Sequence, residues 1–132
     1  MLLLDTNTVV WFWHGDAKLG PRARGAIEDA WRVGDACVSA ISFWEVAMLH
    51  EKGRLELPAD PPAWRRSILD HGLVALPVDD VIATRAGLLT DLHGHLADRV
   101  ILATALLGHQ LITANAHLLN WPGTVTRLDA RE

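Results

Sequence analysis

Four residues with oxygen-bearing side chains stand just past apolar segments or at the head of helical ones. Asp5 follows Leu2-Leu3-Leu4, Glu45 comes shortly after Ala36–Ala40, Asp98 opens a helical stretch, and Asn115 follows Gln110–Thr113. Each has an ordinary explanation. Asp5 can N-cap a helix beginning at Thr6. Ser42-Phe43-Trp44-Glu45 fits the capping box S-x-x-E. Asp98 is a first-turn carboxylate favoured by the helix dipole, and Asn115 can cap the short helix that contains His117. Yet Phe43–Leu49 is otherwise apolar, and a glutamate is rarely buried there without a partner. All four residues can be placed at one edge of one sheet. Carboxylates gathered there repel one another unless a cation neutralises them. Oxygen donors of this kind suit Mg2+ or Mn2+, with several waters retained. Thr6 and Asn7 are candidate hydrogen-bonding partners of Asp5, and His117 is two residues from Asn115.

The elements that must carry these residues alternate between short apolar runs and helical stretches. Leu2–Leu4, Ala36–Ala40, Leu73–Leu76, Gln110–Thr113 and Thr124–Leu128 are continuous apolar strands, as expected where both sheet faces are covered. Between them lie helices over Thr6–Trp13, Pro21–Val33, Ser42–Lys52, Pro62–His71, Asp79–Leu89 and Asp98–Leu107, several ending at a glycine. This order predicts an α/β protein, a three-layer α/β/α sandwich on a central, mainly parallel five-stranded sheet. Ligands in such folds bind beyond the carboxyl ends of the strands, where the strand order reverses.

The strings Leu-Leu-Leu-Asp-Thr-Asn, Ser-Ala-Ile-Ser-Phe-Trp-Glu-Val-Ala, His-Leu-Ala-Asp-Arg-Val-Ile-Leu-Ala-Thr-Ala and Leu-Ile-Thr-Ala-Asn resemble, in order and spacing, the four motif regions of PIN domains. They are most similar to VapC toxins of type II toxin-antitoxin systems, as is Glu-Lys-Gly-Arg-Leu-Glu-Leu-Pro after Glu45. The resemblance implies a single PIN domain over residues 1–132 and an endoribonuclease whose metal is held by Asp5, Glu45 and Asp98. It also implies in-line attack of a metal-activated water on an RNA phosphodiester, and inhibition by a cognate VapB-type antitoxin. Asn115 occupies a fourth position that is commonly aspartate, so a single tightly held ion is expected. His95 stands where the family often has aspartate.

Other readings are weaker. Asp5-Thr6-Asn7-Thr8-Val9 approaches the first motif of haloacid-dehalogenase-type phosphohydrolases, but Asn7 replaces the second acid and cannot act as acid or base. Asn115 also motivates a PIN-fold binding module with a dead metal site. His93-Gly94-His95 invites zinc, but Asp98 is three residues on, not two. No Walker pattern or G-x-S-x-G elbow is present.

Composition narrows the partners. The 132 residues carry a formal net charge of -4, which argues against a broad basic nucleic-acid clamp. It leaves room for contacts to a few phosphates, from basic residues such as Arg22, Arg24, Arg65 and Arg66. The lone cysteine, Cys37, suits a reducing cytoplasm. Val100–Thr126 lacks charged residues, but Gly108-His109-Gln110 divides it into pieces too short to span a membrane. Val9–Trp13 is apolar around the whole helix, so it is expected to need a cover, from a homodimer partner or an antitoxin peptide.

Overall fold

Five strands form one wholly parallel sheet in a computed structural model that describes residues 1–132. They are β1 (Leu2–Leu4), β2 (Ala36–Ser39), β3 (Val74–Leu76), β4 (Gln110–Thr113) and β5 (Arg127–Asp129), in the order β3-β2-β1-β4-β5. The helices are α1 (Thr6–His14), α2 (Pro21–Arg32), α3 (Ala40–Glu51), α4 (Pro61–Asp70), α5 (Asp80–Leu88), α6 (Leu96–Ala105) and α7 (Ala116–Leu119).

The inner strands are mostly apolar because both of their faces are buried: β1 and β2 are buried throughout, and β4 from Leu111 to Thr113. Leu2, Leu4, Val38 and Ile112 point into a layer formed with Val9, Ile27, Val46, Trp64 and Ile68. Alternate residues Leu3, Cys37 and Leu111 point the other way, against Ile101, Leu102 and Leu118. This period-two division between two helical layers is the expected three-layer sandwich.

The chain builds outward from β1 to β2 and β3, then crosses to the other side of β1 to lay down β4 and β5. The order therefore reverses between β1 and β4, and Asp5 is the first residue beyond β1. Its N–H donates to the Ile112 carbonyl at 3.0 Å, so the β1–β4 ladder runs up to the carboxylate itself.

Several boundaries differ from the expectation, and three element starts move by two or three residues. The Ser39 hydroxyl, not Ser42, caps α3 by accepting from the Ile41 N–H at 3.2 Å. Glu45 is thereby moved into the second turn, and the capping box is not formed. Helix α6 starts at Leu96, two residues before Asp98. Strand β5 starts at Arg127 and not at Thr124. The Arg127 guanidinium donates to the carbonyls of Leu118 at 2.6 Å and Trp121 at 2.9 Å, which folds the preceding loop back on itself.

Helix α1 also departs from expectation. Val9 and Val10 enter the core, while Phe12 and Trp13 both stack on Trp31 of α2, at 5.2 and 5.9 Å between ring centroids. Trp11 lies between Lys18 and Arg131, whose cations are 5.9 and 5.6 Å from its ring. The chain thus supplies much of its own cover for this helix. No helix is long and apolar enough to cross a membrane, and Val100–Thr126 is divided among α6, β4 and α7.

Gly20 is needed for a close approach. Its N–H donates to the Ala130 carbonyl at 2.8 Å, and a Cβ there would overlap the backbone of Glu132. Gly20→Ala should therefore destabilise the fold by about 1–3 kcal/mol, as overpacking does. Urea denaturation would measure it, and an unchanged midpoint would refute the constraint.

Candidate active site

Asp5 is 5% exposed, and both of its oxygens are engaged. Oδ1 accepts from the Thr6 N–H at 2.8 Å, and Oδ2 accepts from the Thr113 hydroxyl at 2.6 Å. Burial pushes its carboxyl up to about pKa 6. The two hydrogen bonds oppose that rise, and the charges of Asp98 and Glu45 add to it. Asp5 is thus both the expected N-cap of α1 and a carboxylate held in the field of two others.

Thr113, fully buried at the end of β4, is the site residue that sequence reasoning missed. Its hydroxyl donates to Asp5 and accepts from the Asn115 N–H at 3.0 Å. The available signal was its place at the end of an apolar strand that pairs with β1. Thr6, expected as a partner, serves Asp5 through its N–H, and its hydroxyl donates to Ser42 of α3 at 2.9 Å. Asn7 is exposed, and its side chain makes no hydrogen bond to Asp5.

Asp98, 7% exposed, is the third residue of α6. Its Oδ2 accepts from the His95 N–H at 3.1 Å. A Cβ on Gly94 would stand 2.8 Å from Asp98 Cβ and 3.0 Å from Oδ2, so only glycine leaves this carboxylate its room. The histidine-glycine-histidine stretch that suggested zinc is here a backbone cradle for Asp98, with His93 and His95 both exposed. The adjacent Arg99 pins the cradle. Its guanidinium donates to the carbonyls of Ala86 at 2.9 Å, Leu89 at 2.7 Å and Leu92 at 3.3 Å, tying the end of α5 and the following loop to α6.

Glu45 is half-buried on α3, between the buried Ser42 and Val46, and it makes no hydrogen bond or ion pair. Asn115 caps α7, its Oδ1 accepting from the His117 N–H at 2.9 Å. The His117 side chain is exposed and has no hydrogen bond. The structure therefore brings Asp5, Asp98 and Glu45 within electrostatic reach of one another and links Asn115 to Asp5 through Thr113. No three His, Cys, Asp or Glu side chains form a ready-made metal cage.

Comparison with known proteins bears on what this rim does. The family model for the PIN domain matches residues 2–121. A curated relative from Mycobacterium tuberculosis (strain ATCC 25618 / H37Rv), named ribonuclease VapC22, is 32% identical over 118 residues, covering 89% of this chain and 88% of its own. A toxin-antitoxin complex from Klebsiella pneumoniae contains a chain 27% identical to this one, with a TM-score of 0.62 and coverage of 96% and 97%. The DNA-bound VapBC structure from Salmonella typhimurium matches with a TM-score of 0.71 over 97% of this chain and 96% of its own, at 18% identity, and so speaks for the fold alone.

The raised pKa of Asp5 sets a pH dependence. Without metal, the folded chain keeps the Asp5 proton up to about pH 6, whereas the unfolded chain releases it near 3.8. Folding binds a proton between these values, so this contribution falls as pH rises from about 4 to about 6, by on the order of 3 kcal/mol. Asp5→Asn removes it. In EDTA, the variant should gain stability relative to wild type as pH rises through this window. Parallel urea-unfolding profiles for the two proteins would contradict the assignment.

Proposed function

The chain belongs to the PIN domain family, and from that premise we propose that it is a metal-dependent endoribonuclease, the VapC-type toxin of a type II toxin-antitoxin pair. The observation that carries the reading is a buried Asp5, gripped by Thr6 and Thr113 at the reversal of strand order, its carboxyl pushed up chiefly by burial and further by the charges of Asp98 and Glu45. The family match replaces the phosphohydrolase alternative.

The donor set fits a hard divalent cation such as Mg2+ or Mn2+. It consists of carboxylate oxygens with no thiolate nearby, and its mutual repulsion is relieved by positive charge. Asp5, Asp98 and Glu45 would hold the ion. When bound, it supplies charge neutralisation at the phosphate and a more acidic water. The chain's own contribution is positioning. Thr6 and Thr113 fix the plane of the Asp5 carboxylate, the His95 N–H and the Gly94 gap fix Asp98, and Glu45 stands half-buried on α3 within reach of the Asp5 charge.

The partners follow from the same chemistry. An antitoxin segment combining an apolar face with an arginine or lysine would satisfy the carboxylates as a cation does. A homodimer is supported by Val81 and Leu88, which are exposed and seven residues apart, on one face of α5.

Asp5→Ala, Glu45→Ala and Asp98→Ala should each lower RNA cleavage by about 100-fold or more while leaving the fold intact. EDTA should abolish cleavage, and Mg2+ or Mn2+ should restore it. A folded Asp98→Ala variant cutting at the wild-type rate would refute the site. RNA binding with no cleavage under any metal would instead favour the binding-module reading.

Asn115 bears on metal number, because its carbonyl oxygen is engaged in capping α7. Calorimetric titration without RNA should find one tight ion in the wild type and tighter binding in Asn115→Asp. Two tight sites in the wild type would overturn this.

A further inference from the structure

The cationic side chains of this protein are mostly occupied. Arg99 and Arg127 are held by backbone carbonyls, as are Arg24 and Arg131, which also lie over aromatic rings. Arg22 pairs with Glu132 and Arg32 with Asp29, while Lys18 and Arg65 lie over Trp11 and Phe43. Only Lys52, Arg54, Arg66 and Arg85 have none of these partners. Two of the four, Lys52 and Arg54, line a single cavity of about 500 Å3 whose wall also includes Glu45.

That cavity lies between α3 and the start of α6. Trp44 forms part of one side and is 49% exposed, although a tryptophan on a folded surface is usually packed or partnered. His95, whose N–H holds Asp98, forms part of the other side. An exposed indole, two unpaired cations and direct continuity with the carboxylate rim thus occur together. The volume falls in the range of small-ligand sites and is ample for one nucleotide.

We propose that this cavity is a nucleotide subsite flanking the scissile phosphate, in which Trp44 stacks on a base and Lys52 and Arg54 hold the adjoining backbone phosphates. The inference rests on the nuclease reading and deepens it. It resolves a difficulty that the acidic chain poses, since a phosphodiester must approach three carboxylates. Cations free of internal partners beside Glu45 offset that repulsion locally without a basic surface elsewhere. Base stacking on an aromatic ring, with backbone phosphates tracked by positive charge, is the general mode of single-strand recognition. The occupant is accordingly a single-stranded RNA segment such as a loop, whose bases are free to splay out.

The test pairs binding with cleavage. Short labelled single-stranded RNAs, varied one base at a time around the cut, are titrated in Mg2+ by fluorescence anisotropy on an Asp98→Asn background. Cleavage kinetics are measured with Asp98 intact. Trp44→Ala should weaken binding by about 5- to 150-fold, the range that loss of one base stack implies. It should also flatten the base preference at one fixed position and act mainly on KM. Trp44→Phe should restore most of both effects. Lys52→Ala with Arg54→Ala should weaken binding for every sequence and reduce the slope of log affinity against log salt by about 1.4, or about 0.7 for each phosphate that is no longer neutralised. Arg32→Ala, altering a cation paired with Asp29 on α2, should change nothing. Wild-type affinity, salt slope and base preference in the Trp44 and Lys52/Arg54 variants would overturn the subsite. A shift from dimer to monomer accompanying that result would give the cavity to a second copy of the chain. Failure of the wild type to bind or cut any RNA would overturn the nuclease reading and this inference with it.

Discussion

A carboxylate buried at the end of a strand, in the field of two others, is the constraint on which the rest of this molecule depends. Asp5 cannot move away, because its N–H completes the β1–β4 ladder and its oxygens hold Thr6 and Thr113. Desolvation and like charge both oppose its ionisation. The fold tolerates this because the group stands at the end of the central strand, whose three leucines are all buried. The surrounding core, not the site, supplies the stability.

Polar groups around the rim are therefore arranged as supports. Thr113 bridges Asp5 to the turn at Asn115, and Thr6 bridges α1 to α3 through Ser42. On the far side, Arg99 gathers loop carbonyls so that the backbone before α6 can present an N–H to Asp98. Each carboxylate thus comes from a different element, and each element is locked by a hydrogen bond that does not itself involve a metal. On the proposed reading, such preorganisation confines the electrostatic work to the moment when a cation and a phosphate arrive. The same economy governs the cations. Most of them serve carbonyls, carboxylates or aromatic rings inside the fold, so net charge is a poor guide to where a polyanion can bind.

The aromatic residues show how local pattern and packing diverge. Val9–Trp13 reads as a helix with no polar face, which by periodicity demands an external cover. Trp31, distant in sequence on α2, lies beside Phe12 and Trp13 and provides much of it. The residue left exposed is instead Trp44, inside a segment whose sequence looks uniformly buried.

By itself the sequence determined the layer architecture, because unbroken apolar runs separated by helical periods admit few arrangements other than a parallel sheet covered on both faces. It also singled out Asp5, Glu45 and Asp98 together, since the motif strings around them keep their order and spacing, and the fold sets all three within electrostatic reach of one another. Only the tertiary structure decided which side chains hold those carboxylates. Thr113 lies 108 residues from Asp5, and its role exists only because β4 pairs with β1. The start of α3 was likewise undecided, because Ser39 and Ser42 are both good caps in isolation and the choice between them is made by Ser42 being buried against Thr6. The histidine-glycine-histidine stretch, in which the sequence offers only a weak zinc pattern, is a cradle in the fold. A glycine's close approach to a side chain four residues on leaves no trace in periodicity. Local propensity and hydrophobic period are properties of neighbouring residues, whereas hydrogen bonds across strands and the exposure of one tryptophan are decided by whatever the rest of the chain packs beside them.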